Sequence, residues 1–526
     1  MSLRNRMVLP VILSALAMLA GCGSSASNPV APPQGGFKTS NLNGTYVFSS
    51  TGTDGGNFFL TMAGTFTADG NGGISGGTVD MNDAEFSAPL VNQAITGGNY
   101  SVTADGRGKI KLNTTTPFGS SIGLAFVLSS SSHGLVSEFD ANGSGSGTLD
   151  LQSAVTQSQL AGKYVFNLSG TAGINTITGA GIPMAAVGLV TLDASGNATG
   201  TQDLNIDSTP SSQNILSPSN VLVGSSPGTA SIVTSGGTFG FDVFPIDSTH
   251  LKMIEVDGIS PILVGDVFSQ TSSSFPANGL VFTMAGLDYS VSPAVPLVVA
   301  GQMNSDGTSA IGNGVEDVND AGSITTTPLP FTGSFTASGN RYLLTLNNFG
   351  NGAGGALGNF TFAAYPSSGG LQLVEIDGGG STGGVAYSQT NTSFASGEGY
   401  GLNLTAVNVN GFEEDDIAEF TNTNNNLKGL IDVNDQGSTS TPQTFNGTYS
   451  ADSANAGRGT ITSNAFNLAA YTVDNTTTVI IELDSNQLGL GAIAQQAAPS
   501  QAALAARLAV AVRPRVSAHK MWRKRM

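Results

Sequence analysis

Short apolar runs alternate with clusters of Gly, Asn, Asp and Ser along most of the chain. Val, Ile, Phe, Tyr and Thr fill the runs, the side chains that suit a pleated, half-buried surface. "GKIKLNT" (108–114) shows the period of two that sends successive side chains to opposite faces of a strand. Between residues 44 and 152 the pattern predicts eight strands: "GTYVFSS", "FFLTMAGTFTA", "GGISGGTVDM", "GGNYSVTA", "GKIKLNT", "IGLAFVLSS", "GLVSEFD" and "GTLDLQ". Asp-Gly pairs in "DGNG" (69–72) and "DGRG" (105–108) separate some of them and favour hairpin turns. The connections are short and carry no helical period, which predicts an antiparallel meander instead of parallel crossovers.

This pattern returns three more times, marked by two recurring lines. One contains Glu-x-Asp: Glu138/Asp140, Glu255/Asp257, Glu375/Asp377 and Glu482/Asp484, with a glutamine 14 or 15 residues after each glutamate (Gln152, Gln270, Gln389 and Gln496). The other contains Asp-x-Asn-Asp: Asp80/Asp83, Asp317/Asp320 and Asp432/Asp435, with Asp203 in the drifted "DLNI". These marks place four units at 38–153, 154–271, 272–390 and 391–497. The fold class is all-β: four tandem antiparallel meander units. Eight strands in about 110 residues can close into a small barrel or barrel-like sandwich and so remove exposed edges. The alternative takes each unit as two four-stranded blades of one eight-bladed propeller, a halving to which "GTY" at 44–46 and "GNY" at 98–100 point.

The two ends differ from the units. Arg4 and Arg6 precede an apolar run from Met7 to Ala20, the length of a signal-peptide core and short for a bilayer span. Leu19-Ala20-Gly21-Cys22 then resembles the lipobox of bacterial lipoproteins. The resemblance implies cleavage before Cys22, a diacylglycerol on its sulfur and an acyl chain on its new amino group. The expected order is therefore a signal peptide (1–21), a lipidated Cys22 with a flexible tether (22–37), the four units and a tail (498–526). Gly23 in place of Asp implies the outer membrane of the cell envelope over inner-membrane retention. Each buried CH₂ adds about 0.8 kcal/mol, so several chains hold a protein that one would hold marginally. In overall layout the chain resembles uncharacterised tandem-repeat lipoproteins of Gram-negative bacteria.

Composition narrows the function. Cys22 is the only cysteine, so the units contain no disulfide and no thiolate metal site. The segment 38–497 has nine Lys and Arg against all 36 Asp and Glu, a charge of −27 that disfavours nucleic acid. Seven basic residues gather in the tail instead, with the only tryptophan, Trp522. There the tail reads either as a segment for an anionic surface, such as lipid or the acidic body itself, or as an extension without a role.

The carboxylates could serve a glycosidase, which needs two of them flanking a sugar. Glu and Asp two apart on one strand share a face and do not oppose each other, so a structural role is expected. Glu255 follows Met253, and Glu375 follows Leu373, on an apolar face where a buried carboxylate needs a partner. Arg107, Arg341 and Arg458 precede three of the glutamates by 31, 34 and 24 residues. The expected ion pairs are Arg107–Glu138, Arg341–Glu375 and Arg458–Glu482, and unit two lacks the arginine. Asp-x-Asn-Asp is read as turn chemistry over a calcium loop. His133 and His250 hold one position that is Gly370 and Thr477 in the other units, so neither is taken as an essential base. No catalytic residue, metal site or cofactor is assigned, and the chain is read as a non-enzyme. The expected function is that of an exported, lipid-anchored surface or periplasm-facing protein with a structural, adhesive or interaction role. Its partners would be the membrane, through the N-terminal lipid, and a glycan or a protein. The alternative is a small-ligand or glycan-binding lipoprotein, and the last in rank is a polysaccharide-acting enzyme.

Overall fold

A computed structural model of the chain describes residues 36–116, 119–174, 181–258, 260–350, 358–408 and 411–497. The signal segment, Cys22, nearly all of the tether and the 498–526 tail lie outside the described residues. No helix among the described residues is long and apolar enough to cross a membrane.

The first unit contains β1 (Asn43–Asp54), β2 (Phe59–Asp69), β3 (Gly73–Asp83), β4 (Leu90–Ile95), β5 (Gly97–Val102), β6 (Arg107–Thr116), β7 (Gly119–Leu128), β8 (His133–Glu138) and β9 (Gly143–Leu151). All eight expected strands are present. The additional β4, a short and half-exposed stretch, pairs with β3 and shares one strand position with β5. Neighbours in sequence pair antiparallel, and β1 also pairs with β9, from Tyr46 opposite Leu151 to Asp54 opposite Gly143. The sheet therefore closes into barrel 1. Barrel 2 runs from Gly162–Ile174 to Ile262–Ser269, barrel 3 from Asn278–Asp288 to Gly380–Ser388, and barrel 4 from Gly399–Asn408 to Gln487–Gln495. Each closes by the same first-to-last pairing. That pairing excludes the propeller alternative, because blades keep their first and last strands apart.

Turn residues act as their chemistry requires. At "DGNG", Asp69 Oδ1 accepts from the amides of Asn71 (2.7 Å) and Gly73 (2.9 Å), and Gly70 takes a φ of +76° that a side chain would resist. A glycine five residues before the recurring glutamine has a different task. A Cβ on Gly147, Gly265, Gly384 or Gly491 would meet a carbonyl oxygen of the paired first strand at 1.7–2.2 Å. The last strand can lie that close to the first only without a side chain there.

Each barrel is filled by its own apolar core, including Tyr46, Phe48 and Phe66 in barrel 1 and Phe282, Phe335 and Phe349 in barrel 3. A second set of cores lies between barrels. Val47 and Ala63 of barrel 1 meet Phe244, Ile254 and Val264 of barrel 2. Val165 and Val187 of barrel 2 meet Tyr365 and Val374 of barrel 3. Val281 and Val298 of barrel 3 meet Tyr471 and Ile481 of barrel 4. Ile417 and Ala494 of barrel 4 return to Ala125, Val127 and Leu135 of barrel 1. The four barrels thus form a closed ring with four seams. A strand on a seam is buried on both faces: Tyr46 and Phe48 point into barrel 1 while Val47 points into the seam. β6 keeps the period of two, with Ile110 and Leu112 inside and Lys109 and Lys111 outside.

Candidate functional site: the seams between barrels

The two lines that recur in the sequence meet across the seams. Asparagine from the Asp-x-Asn-Asp line of one barrel donates its side-chain amide to backbone carbonyls at the Glu-x-Asp hairpin of the next. Asn82 Nδ2 reaches Glu255 O (3.0 Å) and Gly258 O (2.8 Å), and Asn205 Nδ2 reaches Glu375 O (2.9 Å) and Gly380 O (3.0 Å). Asn319 Nδ2 reaches Glu482 O (3.1 Å) and Gln487 O (2.8 Å). Asn434 Nδ2 closes the circuit on Glu138 O (2.7 Å) and Gly143 O (2.8 Å). The recurring glutamine makes a second circuit: Gln152 to Pro245 O (2.7 Å), Gln270 to Pro366 O (3.0 Å), Gln389 to Thr472 O (2.9 Å) and Gln496 to Leu128 O (3.1 Å). A buried carbonyl left without a donor costs about 1–3 kcal/mol, so both circuits fix which barrel follows which.

The first aspartate of Asp-x-Asn-Asp is a seam residue in a strand, which corrects the turn reading there, whereas Asp83, the second, ends its strand and accepts from the Glu85 amide (2.7 Å) as a turn residue does. Asp80, Asp203, Asp317 and Asp432 are buried, within β3 and its counterparts Ala198–Ile206, Ala310–Asp320 and Asn426–Asp435. Three of them meet the scarce arginines. Arg458 Nε and Nη2 donate to the two oxygens of Asp317 at 2.7 and 2.8 Å, a bidentate pair completed by the Tyr471 hydroxyl (2.5 Å). Arg341 Nε lies 2.8 Å from Asp203 Oδ2, which also accepts from the Tyr365 hydroxyl at 2.5 Å. Arg107 Nη1 and Lys109 Nζ reach Asp432 at 3.3 and 2.9 Å.

The expected ion pairs therefore need correction. Arg107, Arg341 and Arg458 pair with aspartates of the preceding barrel in the ring, in place of Glu138, Glu375 and Glu482. Strand register gives the reason. Each arginine stands opposite a seam residue: Val127 for Arg107, Tyr365 beside the start of Arg341–Phe349, and Tyr471 for Arg458. Each glutamate follows an inward residue by two positions (Val136, Leu373 and Ile480), so it points to the other side of the barrel wall.

The four Glu-x-Asp glutamates are buried as the sequence pattern suggests. Burial, with neighbouring carboxylates adding to it, pushes three of them up: Glu255 to about 9, and Glu138 and Glu375 well above the ordinary carboxyl range. Glu255 accepts from the amides of Asp257 (2.8 Å) and Gly258 (3.0 Å), and Glu375 from Thr382 Oγ1 (2.7 Å), so each braces its own hairpin.

A second set of polar groups, missed in sequence, lies on barrels 1 and 2, near enough for Lys252 and His250 of barrel 2 to act electrostatically on Asp150 of barrel 1. His133 Nδ1 lies 2.7 Å from Asp150 Oδ1, while His250 Nε2 and Lys252 Nζ lie 2.7 and 2.8 Å from Asp266 Oδ1. All five side chains are buried, and Phe268 stacks on His250 with ring centroids 4.3 Å apart. Burial raises Asp150 and Asp266, but the cationic and imidazole neighbours outweigh it and hold both below the usual range. The aspartates stand on the neighbouring strand, 17 residues from His133 and 16 from His250.

Two spaces bear on binding. Inside barrel 2, Phe166, Met184, Ile232, Phe241 and their neighbours leave about 20 Å³, room for about one water. A groove of about 510 Å³ opens where barrels 2, 3 and 4 meet, lined by Asp247, His250, Ser368, Tyr387 and Asp474 among others. No group of three or more His, Cys, Asp or Glu among the described residues is arranged to hold a metal ion. Comparison of the chain with protein-family models, curated proteins and solved structures gives no match.

Proposed function

We propose that the protein is an exported, lipid-anchored scaffold whose work is done on the outside of a rigid ring of four barrels. The observation that carries this reading is that each barrel is packed with its own apolar core, and the space left inside barrel 2 has room for about one water. Nothing the size of a sugar or a fatty acid fits there, which supports a structural, adhesive or interaction role over ligand storage. The repeat marks support it too, since they are spent on joining barrels. Lipidation at Cys22 and an outer-membrane location remain part of the proposal on the strength of the lipobox resemblance. Mass spectrometry of the membrane fraction is expected to find residue 22 acylated as the N-terminus; an unprocessed Met1 would remove the anchor.

A second reading has its own observation. The groove of about 510 Å³ between barrels 2, 3 and 4 reaches the lower range of ligand sites and mixes aromatic, hydroxyl and acidic groups. Small-ligand or glycan binding would belong there, outside the barrel interiors. A glycan and lipid binding screen on residues 24–496 separates the two. The scaffold reading expects no saturable ligand whose binding responds to substitution of Ser368 or Tyr387. The groove reading requires one.

A further inference from the structure

Three seams pair an aspartate with an arginine, and the seam between barrels 1 and 2 does not. Strand register identifies what stands at the vacant places. Gly228 pairs with Val243, so Pro227 stands opposite Phe244, at the position held by Arg107, Arg341 and Arg458 elsewhere. Two residues from Phe244, Asp242 occupies the position of Ala125, Ala363 and Ala469, each paired one step before the Glu-x-Asp glutamate. The chain has exchanged an arginine and an alanine for a proline and an aspartate. Asp242 then faces Asp80, the aspartate that would otherwise have met a guanidinium, and their carboxyls are in hydrogen-bonding contact.

Both side chains are more than nine-tenths buried, and the outer oxygens, Asp80 Oδ2 and Asp242 Oδ2, find no ordinary donor. Asp80 Oδ1 is already taken by the Asn92 amide at 2.5 Å. Two carboxylates cannot face each other so with both charges intact. We propose that this seam is closed by a proton, shared between Asp80 and Asp242, in the place where the other three hold a guanidinium, and that it loosens when the proton is lost. The inference goes beyond the scaffold reading and does not depend on lipidation.

Two other raised acids stand nearby: Asp83, at the far end of β3 beside Asp54 and Glu85 and pushed up to about 7 by burial, and Glu255. From barrel 1, β2 and β4 bring Ala63, Asn92 and Gln93 to Asp80, none of them charged. From barrel 2, Asp242 is flanked by Thr229 and Ile254, and Glu255 lies one residue on, holding Asn82. His250 and Lys252, farther along the strand that carries Ile254, are tied to Asp266 of the next strand. Burial drives Asp80 up to about 8, with Asp242 adding to it. A folded-state value raised above the unfolded one stabilises below the unfolded value, near 4, and is lost as pH rises through about 8.

Hydrogen exchange of the full chain at pH 6 and pH 9, corrected for intrinsic rates, tests this. Peptides covering Gly73–Asp83 and Gly237–Asp247 report seam 1–2, and peptides covering Ala310–Asp320 and Asn467–Thr472 report seam 3–4. Protection at seam 1–2 is expected to fall about tenfold or more across this range while seam 3–4 holds. Asp242→Asn, whose amide donates to Asp80 at every pH, is expected to flatten the response. An equal fall at both seams, or no fall, overturns the proposal without any variant. A fall that persists in Asp242→Asn assigns the response to Glu255 or Asp83 and overturns it as well. Restored protection on adding calcium at pH 9 would make the site a metal site, which also overturns the proton.

Discussion

Seams 3–4 and 1–2 hold the same two barrel faces together by different chemistry. In seam 3–4, Asp317 takes both arms of the Arg458 guanidinium and the Tyr471 hydroxyl, inside an apolar core that includes Val281, Val298 and Ile481. In seam 1–2 the tyrosine is Phe244, the arginine is Pro227, and the aspartate meets another acid. The asparagine and glutamine circuits are the same in both. Directional amide-to-carbonyl bonds therefore set the docking geometry, and the charged centre of a seam is free to vary. A charged centre commits the seam more deeply than it stabilises it, because a buried ion pair gains little over a neutral substitute but is costly to break on one side.

The sharpest test of that contrast is Arg458→Ala, which strands Asp317 in a buried, uncompensated state. A loss of about 3–5 kcal/mol is expected in denaturant unfolding, whereas Pro227→Ala in seam 1–2 is expected to stay below about 1 kcal/mol. Equal effects would erase the distinction. Removing the shared element comes next: Asn319→Ala and Asn82→Ala should each cost about 1–3 kcal/mol, and to similar extents, since each leaves hairpin carbonyls without a donor. A large disparity would show that the circuits are not equivalent. Tyr471→Phe, which makes seam 3–4 resemble seam 1–2 at one atom, is expected to cost about 1 kcal/mol.

The pH dependence of melting sharpens the comparison for the whole ring. Glu255, raised to about 9, and Asp83, raised to about 7, stabilise as neutral acids, and that contribution fades as pH rises through those values. Asp150 and Asp266, held low, stabilise as anions, and theirs fades as pH falls below the ordinary carboxyl value near 4. The melting temperature should therefore peak on the mildly acidic side of neutrality; a maximum above pH 8 would contradict the burial of the glutamates. The smallest effect is expected for Lys109→Met. Its side chain is 43% exposed, and its ammonium lies over the Phe139 ring and assists Arg107 at Asp432, so less than about 1 kcal/mol should be lost.

The barrels were legible in the sequence because their signals are local: alternation in "GKIKLNT", Asp-Gly turns and a repeat visible four times. β4 escaped because "LVNQAI" is short and half-exposed, with too little apolar contrast to declare itself. The ring was legible only as unexplained repetition. Asn82 and Glu255 are 173 residues apart, and Asn434 and Glu138 are 296 apart. No periodicity links such positions. One clue was present in the seam strands, where "TYVF" runs apolar on both faces and so advertises a second buried side. The arginines were rightly singled out by their scarcity and given the wrong partners. Sequence spacing places Arg458 near Glu482, but the barrel wall stands between them.

Because Asn434 and Gln496 fasten the last barrel to the first, the number of modules is set by geometry. An open stack of repeats grows or shrinks by duplication and needs special end pieces. Here an inserted fifth copy would have to change the angle at every joint at once, and a deleted one would leave two sticky faces bare. Evolution can edit such a molecule one side chain at a time, as it has at Pro227 and Asp242, but it cannot easily edit it by whole cassettes.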